Sequence, residues 1–582
     1  MKKINPAPSF KNHFESSQQH KTDSMSGAQF ILKKLELLGI DTIFGIPGSH
    51  IDPLVTASLN TNMTTVIACH ELSAGYMADG YSRSSNTLGV VFSISSPGSN
   101  NLITAVNTAR IERIPMLIIS GDVPIRFSEV PAFQSGNHLG SNDDELFKVI
   151  TKYSNRVSSI EVLDTTLERA ITEAFTPPFG PTHLIVPYCV LEETINKIPT
   201  SINLKALKYQ ETKNSTDTVS LLQSLIQRNK KLVFWIGDSF NTKEQEEQIF
   251  DLAEKFHIPV TTSYSAKGAF PEAHNLALGN FGYAGSMASK ELMLSDNLDY
   301  IIAFDIEQNE RDSLNWNAKL YSGKELISII FSGCFKSEKY GLAIEDNPFF
   351  VLKTLHSLLM EHDYDKTDRY NWFEQLLSQE SAIPSVEIIT EKGLVEPAKL
   401  IEILSDEMPS DTIYFVDSGT HRIFPGVHLK INSPKSFFSA STVAPLGWAI
   451  AAGIGSTFNR DENVVIFTGD GCLQMHGIEI KTAVKHQKHI LVVVCNNSAF
   501  GNVHKRYSKI SESAAEVVSI KEIDWNLFLE SLGAKVIEIS TEHAFIDSVK
   551  EFLKNPTVMV LNVRTPISPY IQDPSSSKSA FA

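Results

Sequence analysis

The chain has 582 residues, with 51 basic and 67 acidic side chains for a net charge of −16, and 42% of its residues are apolar. At roughly 150 residues per domain this is a globular protein of three or four domains. The acidic balance excludes an electrostatic footprint for nucleic acid or anionic membrane, and no apolar run approaches the roughly 18 residues needed to cross a bilayer.

The first 24 residues are polar and lack the apolar core of a secretory leader, so a disordered tail over 1–24 is expected. Five scattered cysteines (Cys69, Cys189, Cys334, Cys472 and Cys495) form no CxxC pair. They read as reduced thiols in a reducing compartment, which points to a cytoplasmic protein. Ala28, Ile31, Leu32, Leu35 and Leu38 recur at helical spacing, and Gly39 ends that helix. A strand then runs into Gly45-Ile46-Pro47-Gly48. The next strand, Thr64 to Cys69, ends at His70-Glu71, and a helix rich in small residues follows to Tyr81. Small residues allow close helix packing, which suits a subunit interface. Strands at Val90–Ile94, Pro115–Ile119 and His183–Pro187 complete a first block. Strand and helix alternate throughout, which predicts an α/β fold with parallel sheets covered on both faces.

Residues 195–230 read as a linker plus a helix. A second α/β block begins at Leu232-Val233-Phe234-Trp235-Ile236, and the charged stretch from Glu361 to Lys392 joins it to a third. The third block opens with the strand Thr412–Val416 and closes with Thr557–Val563. The expected boundaries are a first domain over 25–193, a middle domain over 194–360, a linker over 361–392, a third domain over 393–566 and a C-terminal tail over 567–582. These three doubly wound parallel-sheet domains have outer members of similar size and pattern, which fits a duplicated architecture.

The chemistry gathers in the third block. The apolar run Val464–Phe467 predicts a buried strand, and Gly469-Asp470-Gly471 a tight turn that only small residues allow. A helix is expected from Ile478 to Lys485, then a strand from Ile490 to Val494 ending at Asn496-Asn497. Oxygen ligands at the carboxyl ends of two adjacent strands sit where open α/β sheets bind ligands. Asp470 and Asn497, 27 positions apart (497 − 470), are hard donors that suit Mg²⁺ completed by phosphate and water.

That pairing resembles the diphosphate-binding signature of thiamine-diphosphate enzymes. The likeness runs from about Met25 to Pro566 and is greatest to the acetolactate-synthase-like branch. His70-Glu71-Leu72-Ser73-Ala74-Gly75 with Ala78-Asp79-Gly80-Tyr81 is similar to the family's pyrimidine-side motif. Ser96-Pro97-Gly98-Ser99-Asn100-Asn101 resembles its Gly-Pro-Gly loop, with Ser96 in place of a glycine. Lys267-Gly268-Ala269-Phe270-Pro271 resembles the middle domain, and Asp417-x-Gly419-x-His421 a diphosphate-side loop.

The resemblance implies thiamine diphosphate and Mg²⁺ as cofactors. It assigns Glu71 to the cofactor's pyrimidine nitrogen, the contact that favours the imino tautomer needed to activate the thiazolium carbon. It implies that Leu446 props the cofactor and that Asp470, Asn497 and the carbonyl of Ala499 hold the metal. Pro47, Gly48, Asn101, Gly419, Thr420, His421 and Gly469 would line the cofactor. Gly471, Cys472, Phe500 and Gly501 would complete that lining. Phe133-Gln134 resembles a Phe-Gln pair near the substrate, and the longer segment after it carries His138. Gln134 and His138 are therefore catalytic candidates beside Glu71, with His476 a further candidate.

The departures bear on substrate. Pro187-Tyr188-Cys189 stands for the family's Pro-x-Asp, Ser439-Ala440-Ser441-Thr442 for glycines, and Gly501-Asn502-Val503 for Gly-Met-Val, followed by basic His504-Lys505-Arg506. Phe304-Asp305-Ile306-Glu307 replaces the glycine-rich strand end of the family's FAD binders, which argues against FAD without excluding it.

The implied reaction is decarboxylation of a pyruvate-like 2-oxo acid, with transfer of the acyl carbanion to a second carbonyl. The implied assembly is a homodimer or homotetramer sharing the active site between subunits. Three readings compete with it: a non-ligating decarboxylase or 2-hydroxyacyl lyase, a flavin-dependent oxidase, and a cofactor-binding paralogue without turnover.

Overall fold

The computed structural model describes residues 24–334, 338–361, 363–379, 392–520 and 523–569. The tails expected over 1–24 and 567–582 lie outside that set except at their inner ends.

Three six-stranded sheets organise the chain, and every pairing within them is parallel. The first runs Thr64–Ile67, Thr42–Gly45, Gly89–Ile94, Met116–Asp122, Pro181–Pro187, Tyr153–Arg156. The third runs Phe437–Phe438, Ile413–Val416, Val464–Gly469, Ile490–Asn496, Val558–Arg564, Lys535–Ile539. Counted within each domain, both sheets have the order 2-1-3-4-6-5, so the duplicated architecture read from the sequence extends to topology. The middle sheet, Ala277–Asn280, Val260–Thr262, Leu232–Ile236, Tyr300–Phe304, Glu325–Ile330, Leu342–Glu345, has the order 3-2-1-4-5-6 of a doubly wound dinucleotide fold.

Central strands are continuous apolar runs because helices cover both their faces. All seven residues of Met116–Asp122 are buried, as are the first six of Ile490–Asn496. The edge strands Tyr153–Arg156, Leu342–Glu345 and Lys535–Ile539 are mostly half-exposed, and carry no comparable buried run.

The small-residue helix, Glu71–Ser85, does not await a second subunit as its composition suggested. It packs on Trp448–Ser456 of the same chain, which carries Gly453 and Gly455. A Cβ on Gly80 would lie 2.0 Å from the carbonyl oxygen of Ala452, and one on Gly455 would lie 2.0 Å from that of Met77. A buried polar group fixes the register: Asp79 binds the Arg83 guanidinium and takes a 3.3 Å hydrogen bond from the Trp448 indole. This helix pair holds the first and third domains together. The helix Thr367–Gln379 is tied to the middle domain by Arg369, which donates to the carbonyls of Ile226, Lys230 and Phe256.

Candidate active site

A cavity of about 280 Å³ opens at the carboxyl ends of the third sheet. Gly469-Asp470-Gly471 lies on its wall, but not as the tight turn expected. Gly469 has φ −121°, which any residue adopts, and the helix Asp470–His476 starts at once. Glycine is required at 471 by space: a Cβ there would meet the Phe500 ring at 2.9 Å. Asp470 is buried, one carboxyl oxygen accepts from the Gly471 N–H at 3.0 Å, and Oδ2 has no hydrogen-bond partner. Burial pushes this carboxyl up to about 7. Asn497 and Ala499 line the same wall, and Asn497 Oδ1 accepts from the Ala499 N–H at 3.1 Å.

Gly419, Thr420, His421 and Leu446 also line the cavity, as do Cys472, Phe500 and Gly501. The loop carrying Gly419 is set by Asp417, which does not itself line the cavity. Asp417 accepts from the N–H groups of Ser418 and Gly447 and from the Thr468 hydroxyl, at 3.1, 2.9 and 2.9 Å. Its own loop, the Gly447 turn and the strand Val464–Gly469 therefore converge on one buried carboxyl, pushed up to about 6 by its burial. His421 is buried with Nε2 unpartnered, and burial pushes its imidazole down to about 3, so it is neutral at ordinary pH. The Cys472 thiol donates to the Ser418 carbonyl at 3.1 Å, a structural contact. His476 is removed from the cavity wall: its Nδ1 shares a 2.9 Å hydrogen bond with Ser73 under Gly447.

Glu71 lies elsewhere in the chain, at the carboxyl edge of the first sheet, and accepts from Asn101 Nδ2 at 3.0 Å through Oε2. Pro47 and Gly48 follow the strand Thr42–Gly45 at the same edge. The loop bearing Gln134 and His138 is pinned over that edge. Gly136 N–H donates to Asp122, and Asp143 accepts from the Ser96 N–H and the Ser99 hydroxyl. His138 is exposed on this loop, while Gln134 has φ +54° and is half-buried. Among the described residues, none before Tyr283 lines the diphosphate-side cavity, so one chain does not bring Glu71 and Asp470 onto a common wall.

Among the cavity residues that escaped the sequence reading, Tyr283 and Arg311 come from the middle domain, and Arg422 follows His421. Arg311 and Arg422 lie 4.6 and 5.4 Å over the same Tyr283 ring, and Arg311 Nη1 is buried without a hydrogen-bond partner. Burial, then the charge of Arg422, pushes the Arg311 guanidinium below its usual range. A charged residue in a surface-like segment, Gln308-Asn309-Glu310-Arg311, carries no sequence signal for a distant cavity.

In the middle domain, the crevice between Leu232–Ile236 and Tyr300–Phe304 is the switch point where such sheets bind dinucleotides. Arg113 of the first domain reaches into it and donates to Asp305 at 2.5 Å, and Asp305 also takes the Ser239 hydroxyl.

Sequence comparison agrees with this anatomy. Models of the thiamine pyrophosphate enzyme N-terminal TPP binding domain, central domain and C-terminal TPP binding domain match residues 25–142, 219–332 and 417–563. The chain belongs to the thiamine pyrophosphate enzyme family. It is 26% identical over 551 residues to the acetolactate synthase large subunit of Haemophilus influenzae, covering 92% of this chain and 94% of that one. It is 27% identical over 544 residues to a probable acetolactate synthase large subunit of Methanocaldococcus jannaschii, covering 91% and 89%. Among solved structures, a thiamine diphosphate-dependent 4-hydroxybenzoylformate decarboxylase of Rhodococcus jostii superposes with a TM-score of 0.74 at 20% identity, over 94% of this chain and 100% of that one. A putative thiamin diphosphate-dependent enzyme from Mycobacterium smegmatis gives 0.76 at 20% identity, over 93% and 99%.

Proposed function

We propose that the protein is a Mg²⁺-dependent carboligase that removes CO₂ from a pyruvate-like 2-oxo acid and joins the remaining acyl unit to a second carbonyl compound. The observation that carries the cofactor half is Asp470 Oδ2, a buried carboxyl oxygen without a donor, beside Asn497 and Ala499. A buried carboxylate is costly unless satisfied, and a hard cation satisfies it with one carboxylate, amide and carbonyl oxygen, phosphate and water. The donor set fits Mg²⁺, held by Asp470, Asn497 Oδ1 and the Ala499 carbonyl. Asn497 Oδ1 would then exchange or share its Ala499 N–H. Thiamine diphosphate, when bound, supplies the carbon nucleophile and the electron sink for decarboxylation.

The chain's own groups do the rest. Asn101 holds Glu71 Oε2 and leaves Oε1, which would meet the pyrimidine ring nitrogen. Leu446, half-buried on the wall, would support the cofactor. Neutral His421, in its Nε2–H tautomer, would donate to a phosphate oxygen. Arg311 Nη1 offers a charge-assisted hydrogen bond to a substrate carboxylate. The separation of Glu71 from the diphosphate-side cavity within one chain supports an active site completed by a second copy, in a homodimer or homotetramer. FAD is not part of this reading, since Phe304-Asp305-Ile306-Glu307 replaces the glycine-rich strand end of the family's FAD binders.

The test incubates the protein with thiamine diphosphate, Mg²⁺ and a panel of 2-oxo acids, following CO₂ and products by mass spectrometry. A 2-hydroxy-2-methyl-3-oxo acid or 2-hydroxy ketone is expected. CO₂ with the simple aldehyde alone would replace carboligation by non-ligating decarboxylation, and no CO₂ from any donor would reject both.

A further inference from the structure

A second cavity, of about 400 Å³, lies away from the diphosphate-side cavity where the three domains meet, within the range of small-molecule sites. All three domains give it aromatic side chains: Phe179 from the first domain, Tyr209 and Phe240 from the middle, Phe437 and Phe438 from the third. Among the charged groups on its wall, Glu112 faces Arg83 and Asp238 faces Arg113, at 3.7 and 3.9 Å. Lys208 and Lys435 line it too. Among the described residues neither is within ion-pair or hydrogen-bond reach of a carboxylate, whereas Lys267 on the same wall is paired with Glu272 at 2.7 Å. Lys208 Nζ lies 4.6 Å over the Phe349 ring, and its nearest acid, Glu244, is engaged by Lys353 at 3.7 Å. Lys435 sits at φ +58° between Pro434 and Ser436. Both ammonium groups are pushed down to about 8 by burial, and Lys435 also by the charges of Arg460 and Lys208.

We propose that this three-domain cavity binds a small organic anion with a flat apolar body, its phosphate or carboxylate held between Lys208 and Lys435 and its ring against Phe179, Tyr209, Phe240 and Phe437. Two half-buried cations with no carboxylate in reach are costly without a counter-charge, and the aromatic side chains on the wall give the remainder of such a ligand its contact area. The proposal does not rest on the carboligase reading. The cavity shares a wall with the catalytic domain: Glu112 also accepts from the Thr442 and Val443 N–H groups, at 2.7 and 3.4 Å, next to Ala444 of the diphosphate-side cavity. The experiment therefore uses protein saturated with thiamine diphosphate and Mg²⁺, which also blocks adventitious phosphate binding there.

Calorimetric titration with phenyl phosphate should show saturable binding below about 1 mM, and benzyl alcohol and benzylamine should show none. The Lys208→Met/Lys435→Met variant should lose affinity by about tenfold or more, the scale of a charge-assisted hydrogen bond. Should that variant fold poorly, the wild-type protein serves: phenyl phosphate should protect Lys208 and Lys435 from acetic anhydride, read by peptide mass spectrometry. Absence of binding, equal binding of benzyl alcohol, unchanged affinity in the folded variant, or unprotected lysines would overturn the proposal.

Discussion

Asn101 donates to Glu71 across 3.0 Å, from the end of the short helix Pro97–Asn101 to the first residue of the helix that locks the outer domains together. The contact orients a carboxylate whose other oxygen is left for a ligand. Glu71→Gln keeps the shape and the Asn101 contact but removes the acid. The expected result is a folded protein that binds thiamine diphosphate, with turnover reduced by about 10²–10⁴-fold. Isothermal titration with cofactor and a CO₂-release assay check the two halves, and full activity would remove Glu71 from its assigned role.

Arg311 gives a prediction on substrate rather than cofactor. Its Nη1 is buried without a partner beside the diphosphate-side cavity. Arg311→Met should raise KM for an anionic substrate by about tenfold or more while leaving cofactor affinity within about threefold, since one charged hydrogen bond is lost. An unchanged KM would place Arg311 in packing against Tyr283 alone.

These two residues show what a sequence can carry. Glu71 was legible because a short motif encloses it; the strand before it, Thr64–Ile67, expected to be buried, is a sheet edge with only Val66 buried. Arg311 was not, because its position depends on a middle-domain loop folding back to the third domain, a contact that local pattern does not encode. The central strands were legible because burial on both faces writes an unbroken apolar run. The edge strand Tyr153–Arg156 leaves no such record, being covered on few sides. Gly469-Asp470-Gly471 was legible as a site and misread as a turn, because a glycine needed to clear Phe500 looks in sequence like one needed for positive φ.

His183 offers a test of acid stability away from the metal ligands. It is buried between the hydroxyls of Ser120 and Ser154 and stacked 3.9 Å from Phe147. Burial, then Arg156, pushes its imidazole down to about 3. Its folded pKa is below its unfolded value near 6.5, so between those values the unfolded chain holds the extra proton. Stability then falls as pH drops through that window. His183→Gln should flatten the slope of unfolding free energy against pH between about 6 and 4 by close to one proton, measured by urea titration at several pH values. An unchanged slope would mean that His183 is protonated in the fold.

Ser96 stands where the family motif has glycine, and it adopts φ +65°, ψ −106°. That conformation is costly for any residue with a Cβ, by about 1–3 kcal/mol, and its hydroxyl makes no hydrogen bond that would compensate. Ser96→Gly should raise the unfolding free energy by about 1 kcal/mol, and Ser96→Ala should not. Chemical denaturation of both variants separates backbone strain from loss of the hydroxyl.

The contact between helices Glu71–Ser85 and Trp448–Ser456 yields the severest prediction. A Cβ at Gly80 would sit 2.0 Å from the Ala452 carbonyl oxygen, and a backbone atom cannot swing aside as a flexible side chain can. Gly80→Ala must therefore separate the helices, and with them the Asp79–Trp448 hydrogen bond and the domain-to-domain packing around Tyr76 and Met77. Overpacking of this kind costs about 1–3 kcal/mol where the core can yield, and more where two backbones meet. Gly75 serves as the comparison on the same helix. A Cβ there would meet the Ala105 methyl at 2.5 Å, a methyl on a neighbouring helix of the first domain rather than the backbone of the third. Gly75→Ala should then destabilise the first domain alone, while Gly80→Ala should uncouple the first and third domains. Limited proteolysis and differential scanning calorimetry distinguish these outcomes, with one cooperative transition for wild type and two for Gly80→Ala. A single transition shifted equally in both variants would show that the helix pair is not what couples the domains.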